Sequence, residues 1–169
     1  MTISSVNTLP DVTPELDLHV FQDAIRDLHQ QFANSEISKK VSDDQIEVMY
    51  SIGHAIFMQG KLDKALNVFQ LILLFRPLDA RILEACATTL KKMGRFEEAI
   101  PVYGSVMVFG DMKNPMPSVH IAECLAALGR NSDSEKMLRP ILDDSALDTA
   151  YKDVRRRAEN LLEMLKSVA

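Results

Sequence analysis

The chain has 169 residues, 47% hydrophobic and 25% charged, which suits one globular domain with a sizeable core and excludes a largely disordered chain. Of its 19 basic and 24 acidic residues, residues 1–44 hold three and eight, so the net charge of -5 belongs to the N-terminal quarter and the remainder is balanced. A nucleic-acid surface needs concentrated basic charge, and the only basic run, Arg155-Arg156-Arg157, has Asp153 and Glu159 beside it, as a solvated helix face would. No segment reaches the roughly eighteen apolar residues of a membrane span, and no cationic start leads into an apolar leader, so the chain is expected in the cytoplasm. Cys86 and Cys124 fall at apolar helical positions with no Cys-x-x-Cys spacing, and are predicted to be small buried hydrophobes.

In chain order, residues 1–12 lack any period and are expected to form a disordered tail. Residues 13–41 form an N-terminal helix and connector. Thr13 caps the helix, Pro14 sits in its first turn, and Leu18, Phe21, Ile25, Leu28 and Phe32 recur at spacings of three and four. That stripe can pack on the chain's own first repeat or on a second subunit. The pattern breaks from Asn34 to Val41, and Ser42-Asp43-Asp44-Gln45 then has the side chains of a capping box in front of a new helix.

Gly60-Lys61-Leu62 and Gly94-Arg95-Phe96 are one period of 34 residues apart, each followed by an alanine (Ala65, Ala99) and an aromatic (Phe69, Tyr103). About 34 residues is the length of a tetratricopeptide helical hairpin, in which glycine closes the first helix and a small residue permits close helix approach. The repeat domain spans residues 42–145. The first hairpin runs from Ile46 to Asp79, with Met49, Ile52, Gly53 and Ile56 as its packed face. The second runs from Ala80 to about Lys113, with Pro101 in the first turn of its second helix. The third, around Gly129, substitutes Ser134 and Leu138 for the alanine and aromatic. Residues 146–169, striped by Leu147, Tyr151, Val154, Ala158, Leu161, Leu165 and Val168, form a capping helix. The predicted fold is all-α, an α-solenoid of three hairpins with helices before and after, eight helices in all.

No catalytic constellation is present: there is no phosphate loop and no nucleophile elbow, and His19, His29, His54 and His120 lack metal-site spacing. No cofactor and no metal are expected. The glycines before Lys61 and Arg95 fit carbonyl capping better than an anion site. Function is therefore placed on the inner wall of the solenoid. Continuing the period gives Glu47, Tyr50, His54, Phe57 and Met58, then Arg81, Glu84, Thr88 and Lys91, then, with the third repeat shifted by one residue, Met116, Val119, Glu123 and Ala126. The plain alternative for Tyr50 and Phe57 is core beneath the N-terminal helix.

The run Tyr50 to Gly60 with Lys61-Leu62-Asp63-Lys64-Ala65, together with Pro117-Ser118-Val119-His120-Ile121-Ala122-Glu123-Cys124, resembles the class II chaperones of bacterial type III secretion, the CesD, SycD and LcrH family. The resemblance implies a cytoplasmic, non-enzymatic virulence chaperone that clasps an extended segment of a hydrophobic, pore-forming translocator in its concave groove. It also implies a weak homodimer formed through Leu18, Phe21, Ile25, Leu28 and Phe32. Tyr50, His54, Phe57, Met58, Glu84, Thr88, Lys91, Val119 and Glu123 are the groove candidates. Two readings compete with it. A needle-subunit or transcription-regulator co-chaperone would share the fold. A carboxylate-clamp adaptor would need Lys, Arg and Asn converging where Tyr50, His54, Glu84 and Glu123 stand.

Overall fold

A computed structural model describes residues 27, 30, 31, 35–144 and 151–168. The tail and the stripe from Leu18 to Phe32 lie outside the described residues, as does Leu147. Among the described residues there are seven α-helices and no strand: α1 Asp43–Met58, α2 Leu62–Leu73, α3 Ala80–Lys92, α4 Phe96–Phe109, α5 Met116–Ala127, α6 Asn131–Asp143 and α7 Lys152–Val168. A short 3-10 turn, Ser38–Lys40, precedes α1.

The local signals act as their chemistry requires. Ser42 Oγ accepts from the Gln45 backbone N–H at 3.3 Å and the Gln45 side chain accepts from Ser42 N–H at 2.9 Å, which completes the capping box that starts α1. Gly60, Gly94 and Gly129 have φ of 74°, 74° and 71°. Each lets the following backbone N–H turn back onto a carbonyl of the helix just ended: Lys61 to Ile56, Arg95 to Leu90 and Arg130 to Leu125. The same turn thus closes each hairpin at the same point of the period. Pro101 lies deeper than expected: α4 begins at Phe96, so the ring falls in the second turn.

Successive helices pack in sequence order, α1 on α2, α2 on α3 and so on to α7, with α7 also touching α5. Ala65, Ala99, Phe69 and Tyr103 are buried at the hairpin seams, as are Cys86 and Cys124. In the third hairpin Ser134 substitutes for alanine by donating its hydroxyl to the Ala122 carbonyl at 2.8 Å, so a polar side chain is buried without an orphaned group. Burial pushes the Cys86 thiol up to about 12 and the Cys124 thiol up to about 11, as befits inert core cysteines. Ile52 departs from its expected place in the packed face. It is 51% exposed, because α2 approaches α1 along Ile46, Gly53 and Ile56 and leaves Ile52 on the outer side with Val48.

Val154, Ala158, Leu161 and Leu165 of α7 cover a second core cluster with Val119, Ala122, Leu138 and Ile141. This is the capping role expected of that stripe. Arg155 fastens the helix by donating to the carbonyls of Leu142 and Asp144 at the end of α6.

Candidate functional site

α1, α3 and α5 present one continuous wall, and five of the predicted site residues converge at its first end. Tyr50, His54 and Phe57 of α1 line a cavity of about 200 Å³ with Phe69 of α2 and Arg81, Glu84, Ala85 and Thr88 of α3. The rings form a chain: Tyr50 lies 5.9 Å from Phe69 and 6.3 Å from His54, which is 6.4 Å from Phe57. Tyr50 and Phe57 are half-buried rather than core, so aromatic surface faces an open cavity.

Cations cover both outer rings. The Arg81 guanidinium sits 4.5 Å above Tyr50 and the Lys92 ammonium 4.5 Å above Phe57. Arg81 is itself held by a two-pronged ion pair with Glu47, one prong at 2.8 Å. Hydrogen bonding to Arg81 lowers the Glu47 carboxyl below its usual range.

Further along, Thr88 Oγ1 meets the buried Tyr103 hydroxyl at 3.0 Å, and burial raises that phenol to about 12 although the Thr88 contact opposes the shift. His120 stacks on the Tyr103 ring at 4.9 Å. Lys91 Nζ lies 2.7 Å from Glu123 Oε2 and 2.8 Å from His120 Nδ1, while Arg157 Nε of α7 donates to Glu123 Oε1 at 2.6 Å. Burial by itself pushes the Glu123 carboxyl up, but its hydrogen-bonding contacts with His120, Arg157 and Lys91 together outweigh it and hold the group well below the carboxylate range. The middle of the wall is therefore a closed ionic cluster rather than a ring of free charges.

Two expected groove residues stand elsewhere. Val119 has 0% exposure and packs under α7 in the second core cluster, so it is not on the groove surface. Met58 is 70% exposed at the end of α1 and does not line the aromatic cavity, because it follows Phe57 around the helix by a full residue step. Conversely, Lys92, Ala85, Phe69, His120 and Arg157 join the site without having been assigned to it. A signal for some of them was present. Glu47 and Arg81, and Glu123 and Arg157, are oppositely charged residues one period of 34 apart, which a repeat brings side by side.

Outside the wall, a cavity of about 560 Å³ is lined by Lys40, Val41, Val48, Met49, Leu71 and Phe75 near the start of the described chain. Among the described residues no group of three His, Cys, Asp or Glu side chains could hold a metal ion. No helix among them is long and apolar enough to cross a membrane.

No family model matches the chain. It is 30% identical over 129 residues to the low calcium response locus protein H of Yersinia pestis, covering 75% of each protein. The type III secretion chaperone SycD of Yersinia enterocolitica, solved with a peptide of the translocator YopD, superposes with a TM-score of 0.66 at 29% identity, covering 74% of this chain and 95% of SycD. SycD in an alternative dimer gives 0.67 at 29% identity, covering 74% and 94%. With a relative 30% identical over three quarters of both chains and the SycD fold superposing on this one, the chain belongs to the class II type III secretion chaperone family of LcrH and SycD.

Proposed function

We propose that this protein is a cytoplasmic secretion chaperone that holds an extended segment of a translocator against the α1–α3–α5 wall and keeps it soluble until export. The observation that carries this reading is the aromatic cavity of Tyr50, His54, Phe57 and Phe69, open at the first end of a wall whose middle is closed by ion pairs. SycD, which shares the fold, binds a translocator peptide.

The chemistry required is modest. Membrane-seeking segments aggregate in water, and binding them lowers the concentration of free, sticky chain. Burying a Leu-sized anchor contributes about 1.5–3 kcal/mol and ordering a disordered segment costs about 2–5 kcal/mol, so a few anchors give a Kd no tighter than about micromolar. A guest held this loosely is released without ATP. The reading is non-enzymatic, since the ionisable groups of the wall are engaged with one another rather than aimed at a reacting centre.

The test is co-purification of a co-expressed translocator from the same bacterium. Tyr50→Ala combined with Phe57→Ala removes the cavity walls without altering charge and is expected to abolish recovery of the translocator. Full recovery would remove the groove from consideration. The apolar stripe Leu18, Phe21, Ile25, Leu28 and Phe32 is proposed as the contact of a weak homodimer, supported by the dimeric form of SycD. A monomer by light scattering at every accessible concentration would contradict that assignment.

A further inference from the structure

A second cavity, of about 320 Å³, opens between α5 and α7, walled by Ala126, Ala127, Leu161, Met164 and Leu165 and reaching Glu123. We propose that this cavity is a second guest subsite, which takes an apolar side chain about six residues along the same extended segment, beside a guest carboxylate that meets Arg157. The inference rests on the groove reading and deepens it.

Four observations lead here. The cavity is continuous with the wall: Glu123 belongs both to its lining and to the ionic cluster, and Ala126 and Ala127 follow Glu123 by one helical turn, as Leu161 follows Arg157 on α7. Its space exists because α5 carries two alanines where α7 crosses, so nothing from α5 fills it. Met164 at its edge is 55% exposed, whereas Val154, Ala158, Leu161 and Leu165 already supply the buried face of α7. A flexible thioether there suits an adaptable contact. Charge supplies the fourth. Lys91 and Arg157 share a single carboxylate, Glu123, and Arg157 engages it through Nε. Among the described residues no hydrogen bond occupies its two terminal nitrogens, a fork suited to a carboxylate.

The spacing follows from helix packing. The Glu47–Arg81 and Lys91–Glu123 ion pairs set α3 beside α1 and α5 beside α3, so two steps of about one helix diameter, roughly 10 Å each, separate the α1/α3 cavity from the α5/α7 cavity and about 20 Å must be spanned. An extended chain covers that in about five or six residues.

The probes are synthetic fourteen-residue peptides of Gly, Ser and Thr bearing either one leucine, or two leucines six residues apart with an aspartate before the second. Binding to the full-length chain is followed through the 13C-methyl resonances of Ala85, in the first cavity, and Met164, in the second. The one-leucine peptide is expected to move Ala85 alone. The two-leucine peptide moves both resonances and binds about tenfold tighter, the gain of one buried side chain. Ala127→Leu, at an exposed helical position, fills the second cavity and should erase both the Met164 shift and the tenfold gain while sparing the Ala85 shift. Replacing the peptide aspartate by asparagine should weaken wild-type binding about threefold and leave Arg157→Gln unaffected. If the two-leucine peptide moves Ala85 and not Met164, or if Ala127→Leu leaves that peptide's Met164 shift and affinity unchanged, the second subsite is overturned and the groove stands. If neither resonance moves with any peptide, the groove reading itself fails and the subsite falls with it.

Discussion

Gly53 sets how closely α1 and α2 approach, and adding a single methyl there tests that contact directly. A Cβ at this position would lie 2.7 Å from Phe69 Cε1, 3.1 Å from Phe69 Cδ1 and 3.1 Å from Val68 Cγ1. Carbon atoms in good contact are at least about 3.5 Å apart, so the Phe69 ring must retreat by about 0.8 Å. It has little room, being 1% exposed among Leu66, Ile72 and the Tyr50 ring. Overpacking of this kind costs about 1–3 kcal/mol, while alanine gains about 1 kcal/mol over glycine inside a helix. Gly53→Ala is therefore expected to lose about 1 kcal/mol net, and Gly53→Val, which adds two more carbons and surrenders most of the helix gain, about 3 kcal/mol. Urea unfolding at 25 °C, read as a lower midpoint with an unchanged slope, measures both. Because Phe69 also floors the aromatic cavity, guest binding should weaken in step. A Gly53→Ala protein as stable as the wild type or more so would show that the approach of α1 to α2 is not limited by this contact.

Glu123 makes stability depend on acid. Its folded carboxyl is held below the unfolded value, so its contribution is fully present above about pH 4.3 and is lost as the pH falls below that. Glu123→Gln should therefore be destabilised at pH 7 and lose less stability than the wild type between about pH 5 and 3; parallel stability profiles would show that the cluster contributes no such dependence. Arg76 pins the connector before α1, donating to the Ser38 carbonyl at 2.8 Å, the Val41 carbonyl at 3.0 Å and Asp43 Oδ1 at 2.7 Å. Arg76→Ala should cost about 2 kcal/mol and accelerate amide exchange in residues 38–42, and Arg76→Lys should not restore it, since a lysine ammonium cannot reproduce the planar fork. Unchanged exchange at those amides would refute the clamp.

The sequence by itself determined the hairpins, because their signals are local. A glycine must stand where the backbone turns left-handed after each first helix, small and aromatic residues must stand at each seam, and Ser42 and Gln45 cap α1 within four residues of chain. It also determined that Tyr50, His54 and Phe57 share one helical stripe. Only tertiary structure decided which members of that stripe stay open. Val119 holds the same repeat position as Tyr50 and Glu84, yet α7 lies across it; Thr88 and Glu123 hold the position of His54 and are drawn into contacts with Tyr103, Lys91 and Arg157. Periodicity fixes the direction in which a side chain leaves its own helix, whereas exposure depends on what the next helix places in front of it, and that partner is chosen by packing across the whole solenoid.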